Sequence, residues 1–463
     1  MLRMTLLWMF IGYLGLTAWK DWYRSLCGLI LLTGVYRHPD MPSSLFDIPG
    51  LNPWNILLFM IVCAWLANRR KDGCQWDMPG KYNTLLWLCL VVIVLGFCRM
   101  LWDHDGLIDY ARITGWQMPS TVGFWNEYLF NTIKWVIPGI LLFDGCRTDA
   151  RIKLAIMAVS AAYFILALQV IQYVPIYTLL SGKDLSEETV GRLRKNVGYH
   201  RTDLAVMLAG FFWAWFSTRE IFQFKGWRTV IFPAGLLIFL FSLALTGGRG
   251  GYLAWAGMAL IFCLFRYRKL FFILPVVMVF ALPYAPSLVG RITEGISPEE
   301  GVDHGKLTAG RSIAWPLVIE KIGAAPIIGH GREAMKQTGL AAKLFLDYGE
   351  SAPHPHNAYL EMLLDNGIIG FAIVLSFYWL IIKNSFALFR NRHNPNYRVI
   401  GGICVSIVGT QLIGSLTGQT FYPRELSVGV WCSIGLLLRL LADGVRQGKE
   451  EGNKVLQTSG RMK

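Results

Sequence analysis

Charge is what this chain has least of for its size. Only 16% of its 463 residues are Asp, Glu, Lys or Arg, against 54% hydrophobic. Soluble domains carry about a quarter charged residues, so a water-soluble globule of this length is disfavoured. Alternating apolar and polar strands are missing too, which leaves helices to satisfy the backbone in lipid. The nine cysteines include no C-x-x-C pair, and most lie in or beside apolar runs. Neither a zinc ribbon nor a disulfide framework is expected. The absence of G-x-S-x-G and H-E-x-x-H patterns argues against serine-triad and zinc-hydrolase chemistry. No small-residue cleavage site follows the first apolar run, where Lys20, Asp21 and Trp22 stand instead. That run reads as a retained span. Lys and Arg outnumber Asp and Glu by 44 to 30, a net charge of +14. No aromatic-and-basic motif accompanies the excess, so no nucleic-acid partner is expected.

Long apolar runs are abundant: TLLWLCLVVIVLGFC (84–98), TVIFPAGLLIFLFSLAL (229–245) and LFFILPVVMVFAL (270–282) are three. Mean hydropathy is +0.43. The class is an all-α polytopic membrane protein. Hydropathy places spans at 4–18, 24–36, 53–68, 84–102, 132–146, 152–177, 203–218, 229–246, 251–266, 270–287, 366–383, 399–417 and 425–442. Basic clusters alternate between them: Arg69 to Lys71; Arg147, Arg151 and Lys153; Arg219, Lys225 and Arg228; Arg266, Arg268 and Lys269; Arg390, Arg392 and Arg398; and the tail from Arg439. The positive-inside rule puts these in the cytoplasm. Loops 103–131, 178–202, 246–251 and 288–365 are left outside. Either the N-terminus is outside or 4–36 crosses once, so about 12 spans are expected, plus or minus one. Residues 1–463 read as a single integral membrane domain, with 288–365 a large periplasmic loop and 443–463 a basic cytoplasmic tail.

The outside loops are rich in cations. One carries Arg192, Arg194, Lys195, His200 and Arg201; the large loop carries Arg291, Lys306, Arg311, Lys321, His330, Arg332, His354 and His356. The short turn TGGRGG sets Arg249 between two spans. Guanidinium groups at a membrane edge fit an anionic phosphate partner. The competing reading of Arg249 is a snorkelling anchor or an ion-pair partner. The flanking glycines Gly247, Gly248, Gly250 and Gly251 favour close approach of a ligand.

In SAPHPHNAYLEMLLDNG, prolines keep the chain extended up to His354 and His356. Asn357 is suited to cap the helix that follows, and Gly367 to stop it. His356 at the positive end of a helix would stay neutral near pH 7, as a general base must. His354 reads as a structural histidine bonded to a loop carbonyl. A metal site combining the pair with Asp103, His104 and Asp105 is a weaker alternative.

Four segments, in chain order, resemble the O-antigen ligase and O-antigen polymerase superfamily (WaaL and Wzy proteins). They are RLRKNVGYHRTDLAVMLA, TGGRGGYLAW, GRSIAWPLVIEKIGAAPIIGHG and PHNAYLEMLLDNGIIG. The resemblance covers roughly 190–440. It implies a GT-C-like helical fold with short helices in the periplasmic loop. It implies a glycosyltransferase of the bacterial inner membrane, with its active site facing the periplasm and with no cofactor and no metal. The donor would be a polyprenyl-diphosphate-linked glycan. The acceptor would be lipid A-core, a growing glycan or a protein, and membrane lipids would surround the chain. By position, His356 is the implied catalytic residue, and Arg249 and Arg311 the diphosphate ligands. Arg194 or Arg201 fills a third arginine position, with Asp203 standing where asparagine is commoner. His330, His354 and Asn357 are secondary candidates. Ligase and polymerase share these motifs. A transporter or flippase is the reading from another class, but no inverted repeat supports it.

Overall fold

A computed structural model describes the chain except residues 1, 47, 49, 223–225, 295, 298–300, 303–310, 350, 419 and 461–463. Lys225 and Lys306 lie outside the described residues. The architecture is a helical bundle, with one short antiparallel pairing of Ile296–Ser297 and Gly301–Val302. Local chemistry starts the helices where polar caps meet apolar runs. Asn52 accepts from the Asn55 amide at the head of Pro53–Asn68. Thr148 does the same for Asp149–Tyr173, and Asn394 for Pro395–Gly414.

Among the described residues, five helices are long and apolar enough to cross a membrane: Gly80–Trp102, Asp149–Tyr173, Ala358–Phe389, Pro395–Gly414 and Glu425–Arg446. A sixth crossing would be the pair Leu270–Tyr284 and Pro286–Thr293, bent by 107°. Shorter apolar helices are Met4–Ala18, Trp22–Val35, Pro53–Asn68, Ile231–Thr246 and Arg249–Phe265. Several expected spans differ in detail, and the reasons are local. The stretch 270–287 does not run straight, because Pro283 and Pro286 remove helix donors at the bend. The stretch 132–146 breaks before Ile137–Gly145, with Pro138 in the first turn. The expected end at Gly367 is a break with φ 60°, after which the helix resumes to Phe389.

The centre is the Arg201–Thr218 helix, packed against Pro395–Gly414, Arg249–Phe265 and Ile231–Thr246. Trp213, Phe239, Phe262 and Phe389 are fully buried there. The basic clusters gather at one end. Arg439 donates to both oxygens of Asp77 at 2.8 and 2.9 Å and to Asp443 at 2.7 Å. Arg69 and Arg147 hold the buried Asp144, and Arg266 and Arg398 share Glu220. The loops carrying Arg201, Arg249 and His356 lie at the opposite ends of these helices.

Breaking a helix at Gly367 frees backbone groups that must be paired. Residues 326–331 supply the partners. Ile368 donates to the Pro326 carbonyl at 2.8 Å, and His330 and Gly331 donate to Leu364 and Asp365 at 2.8 Å each. A side chain at Gly329 or Gly367 would strike the other strand's backbone within 2.5 Å. The P-x-x-G-x-G and N-G-x-x-G segments are thus two halves of one interlock.

Candidate active site

A cavity of about 660 Å³ opens beside this interlock. His354, His356 and Asn357 line one wall, Arg332, Glu333 and Lys336 another. Tyr36 to His38, Asn126, Glu127, Glu361, Thr420 and Tyr422 to Glu425 are also part of the lining. Asn357 caps the Ala358–Phe389 helix as expected, accepting from the Tyr359 and Leu360 amides at 2.9 and 3.2 Å. His356 precedes the cap at φ 51°. Among the described residues, the other non-glycine positions with positive φ are Phe46 and Glu333. Two of these three rare conformations therefore face one cavity, a pattern common where a side chain must be aimed.

Burial, with the neighbouring His354, Arg311 and His200 adding to it, lowers the His356 pKa to about 4. The ring is neutral at pH 7, as the sequence implied, but desolvation is the leading cause and not the helix dipole. His354 corrects its expected role. No bond to a loop carbonyl holds it among the described residues. Its ring opens into the cavity, 4.4 Å from that of His356. The carbonyl-bound histidine is His330, whose Nε2 lies 3.0 Å from the Lys321 oxygen, away from the cavity lining. No group of three His, Cys, Asp or Glu suited to a metal occurs among the described residues, so Asp103, His104 and Asp105 do not complete a set with the histidines.

Arginines approach His356 from behind one loop, Thr417–Gly418. Arg311 Nη2 donates to the Thr417 carbonyl at 2.8 Å. A methyl built on Gly418 would lie 3.7 Å from His356 Nδ1. One turn on from Arg311, Trp315 donates to the Pro355 carbonyl at 2.9 Å, so R-x-x-x-W ties the arginine and the histidine to one frame. The TGGRGG turn packs against the other side of Thr417. A side chain on Gly250 would meet Thr417 Oγ1 at 2.3 Å, and one on Gly251 would meet Ala205 at 2.3 Å. These glycines make room for neighbouring helices, not for a ligand as the sequence implied.

Arg249 lies within electrostatic reach of Arg201, Arg291 and Arg311. Burial, then the Arg249 charge, lowers the Arg311 pKa. Arg201 Nε and Nη1 and Arg311 Nε are buried without hydrogen-bond partners among the described residues. Buried donors left unmet are costly, and a bound anion would satisfy them. Arg201 is in this cluster, whereas Arg194 is exposed on Leu185–Asn196. Sequence reasoning missed Glu333, Lys336 and Glu361 in the cavity. Glu333 pairs with Lys336 at 2.6 Å, and Thr420 donates to Glu361 at 2.6 Å. The one available signal was Gly-His-Gly just before Arg332 and Glu333, because Gly329 and Gly331 sit at φ 70° and 97°.

Residues 234–375 match a family model described as O-Antigen ligase. This match agrees with the resemblance to the O-antigen ligase superfamily over that segment. A "Putative polysaccharide ligase" of Rickettsia conorii is 26% identical over 215 residues, 44% of this chain and 50% of that protein. One from Rickettsia bellii matches to the same extent, and one from Rickettsia prowazekii is 24% identical over 212 residues. The chain spans about half the length of the curated relatives it matches. The family segment holds Arg249, Arg311, His354, His356 and Asn357, and Arg201 joins them only in three dimensions.

Proposed function

We propose that this chain is a multi-pass glycosyltransferase of a bacterial inner membrane, with about 12 crossings and its cavity facing the periplasm. It moves a glycan from a polyprenyl diphosphate to an acceptor hydroxyl, in the manner of an O-antigen ligase. The carrying observation is the placement, on two sides of Thr417–Gly418, of a neutral histidine and of arginine donors that have no hydrogen-bond partner among the described residues. The acceptor oxygen attacks the anomeric carbon. Its proton goes to His356, and the bond from that carbon to the diphosphate breaks. Arg201, Arg249 and Arg311 offset the charge that develops on the departing polyprenyl diphosphate. Each such donor is worth roughly 10²–10³ in rate, and a placed base about 10²–10⁴. His354, Glu333 and Lys336 give the acceptor side of the cavity its polarity. The loop 288–365 supplies Arg311 and the histidine pair. The names of the relatives favour ligase over polymerase.

Purified protein with a polyprenyl-diphosphate glycan, assayed with and without lipid A-core, tests the reading. Product that needs lipid A-core supports a ligase. Longer carrier-linked chains from donor alone support a polymerase. With an active donor preparation, no product from either lipid A-core or a protein acceptor counts against transfer.

A further inference from the structure

Arg291 was one cation among many in the large loop, yet it is the most deeply buried of the four clustered arginines, only 7% exposed. It lies on Pro286–Thr293, the helix after the 107° bend. Its Nε donates to the Gly247 carbonyl at 2.8 Å. Gly247 ends the Ile231–Thr246 helix in the left-handed region and begins the turn that carries Arg249. Arg249 Nη1 donates back to the Glu294 carbonyl at 3.2 Å, and Arg291 forms an ion pair with the Glu294 carboxylate. Two arginines thus hold each other's backbone across one gap. The other side of the turn leans on Ala205 and Thr417 through its glycines.

We infer that Arg291 is a positioning residue. By holding the Gly247 carbonyl, it sets where Arg249 presents its guanidinium to the diphosphate. This rests on the proposed function, in which Arg249 meets that group. A charged donor to a buried carbonyl is a strong tie, and small misplacements of a binding group are costly. The bond also anchors the Leu270–Ala281 arm, which buries no residue of its own in the bundle.

The test uses the full chain in detergent, with wild type, Arg291→Gln, Arg291→Lys and Arg249→Lys side by side. Amide hydrogen exchange is followed across 246–251, and donor KM and kcat are measured by glycan transfer. Arg291→Gln is expected to speed exchange at 246–251 and raise donor KM, each by about tenfold, with a smaller effect on kcat. Arg291→Lys, which still reaches one carbonyl, recovers most of both. If Arg291→Lys fails in transfer as fully as Arg291→Gln while exchange stays at the wild-type rate, Arg291 touches substrate directly and positioning is wrong. Wild-type exchange and KM in Arg291→Gln would likewise overturn it. Should Arg249→Lys transfer normally, the proposed function fails instead, whatever the exchange shows.

Discussion

The two ends of the bundle treat arginine differently. At one end Arg439, fully buried, gives its two terminal nitrogens to Asp77 and Asp443, and Asp144 draws in Arg69 and Arg147. Arg439 Nε has no hydrogen-bond partner among the described residues, but the charge is met by carboxylates. At the other end Arg201 has two buried nitrogens without hydrogen-bond partners among the described residues; Arg249 and Arg291 lie within its electrostatic reach, and the carboxylates nearby are Asp184 and the Glu294 that pairs with Arg291. Matched charge ties helices together. Buried donors left without a hydrogen-bond partner cost stability unless a ligand completes them. Arginine alone says little about role, since both ends have it. The partners decide.

Four changes would break or sharpen this contrast. The largest effect is expected from Arg249→Gln, which should lower transfer by roughly 10²–10³ with little loss of thermal stability. A fall in unfolding temperature with specific activity kept would leave Arg249 only its tie to the Glu294 carbonyl. Asp77→Asn should do the reverse. Leaving Arg439 short of a partner costs roughly 2–3 kcal/mol, in the lower range because Asp77 is part-exposed and Asp443 remains. The unfolding midpoint should drop while the folded fraction keeps its specific activity. Next, Arg201→Met removes two buried donors that lack hydrogen-bond partners among the described residues, so the ligand-free protein should melt about 1–3 °C higher while donor KM rises. A lower melting temperature would mean that the cluster is already paired.

The smallest effect is pH dependence. His356 titrates near 4, so transfer should be flat from pH 8 to 5 and fall below that. Its folded pKa lies under the unfolded 6.5, so the unfolded chain binds more protons in that window. Stability therefore also falls as pH drops from about 6.5 to 4. A half-point of transfer near 6.5 would place the ring in water.

Much of this was legible in the chain. Asn357 as a cap, the break at Gly367 and the arginine turn follow from short-range rules, whereas His356 is neutral through burial and not through the helix dipole that the local pattern offered. Family resemblance added Arg311. What local reading missed depends on contacts distant in sequence. Whether His330 or His354 binds a carbonyl depends on where residue 321 lies. The TGGRGG glycines serve Ala205 and Thr417, each about 45 to 170 positions away, a packing role that no turn rule reveals. Glu333 sits in the cavity only because 326–331 docks on the broken helix. The choice of Arg201 over Arg194 needed the helix start to be placed beside Gly248.

The most direct test of the central claim separates binding from transfer in His356→Ala. Purified variant and wild type would be titrated with the same polyprenyl-diphosphate glycan, and transfer then followed with lipid A-core. Donor binding within about twofold of wild type, with transfer lowered by 10² or more, is the expected result. Wild-type transfer by His356→Ala would contradict the account, because the histidine would then have no part in moving the acceptor proton.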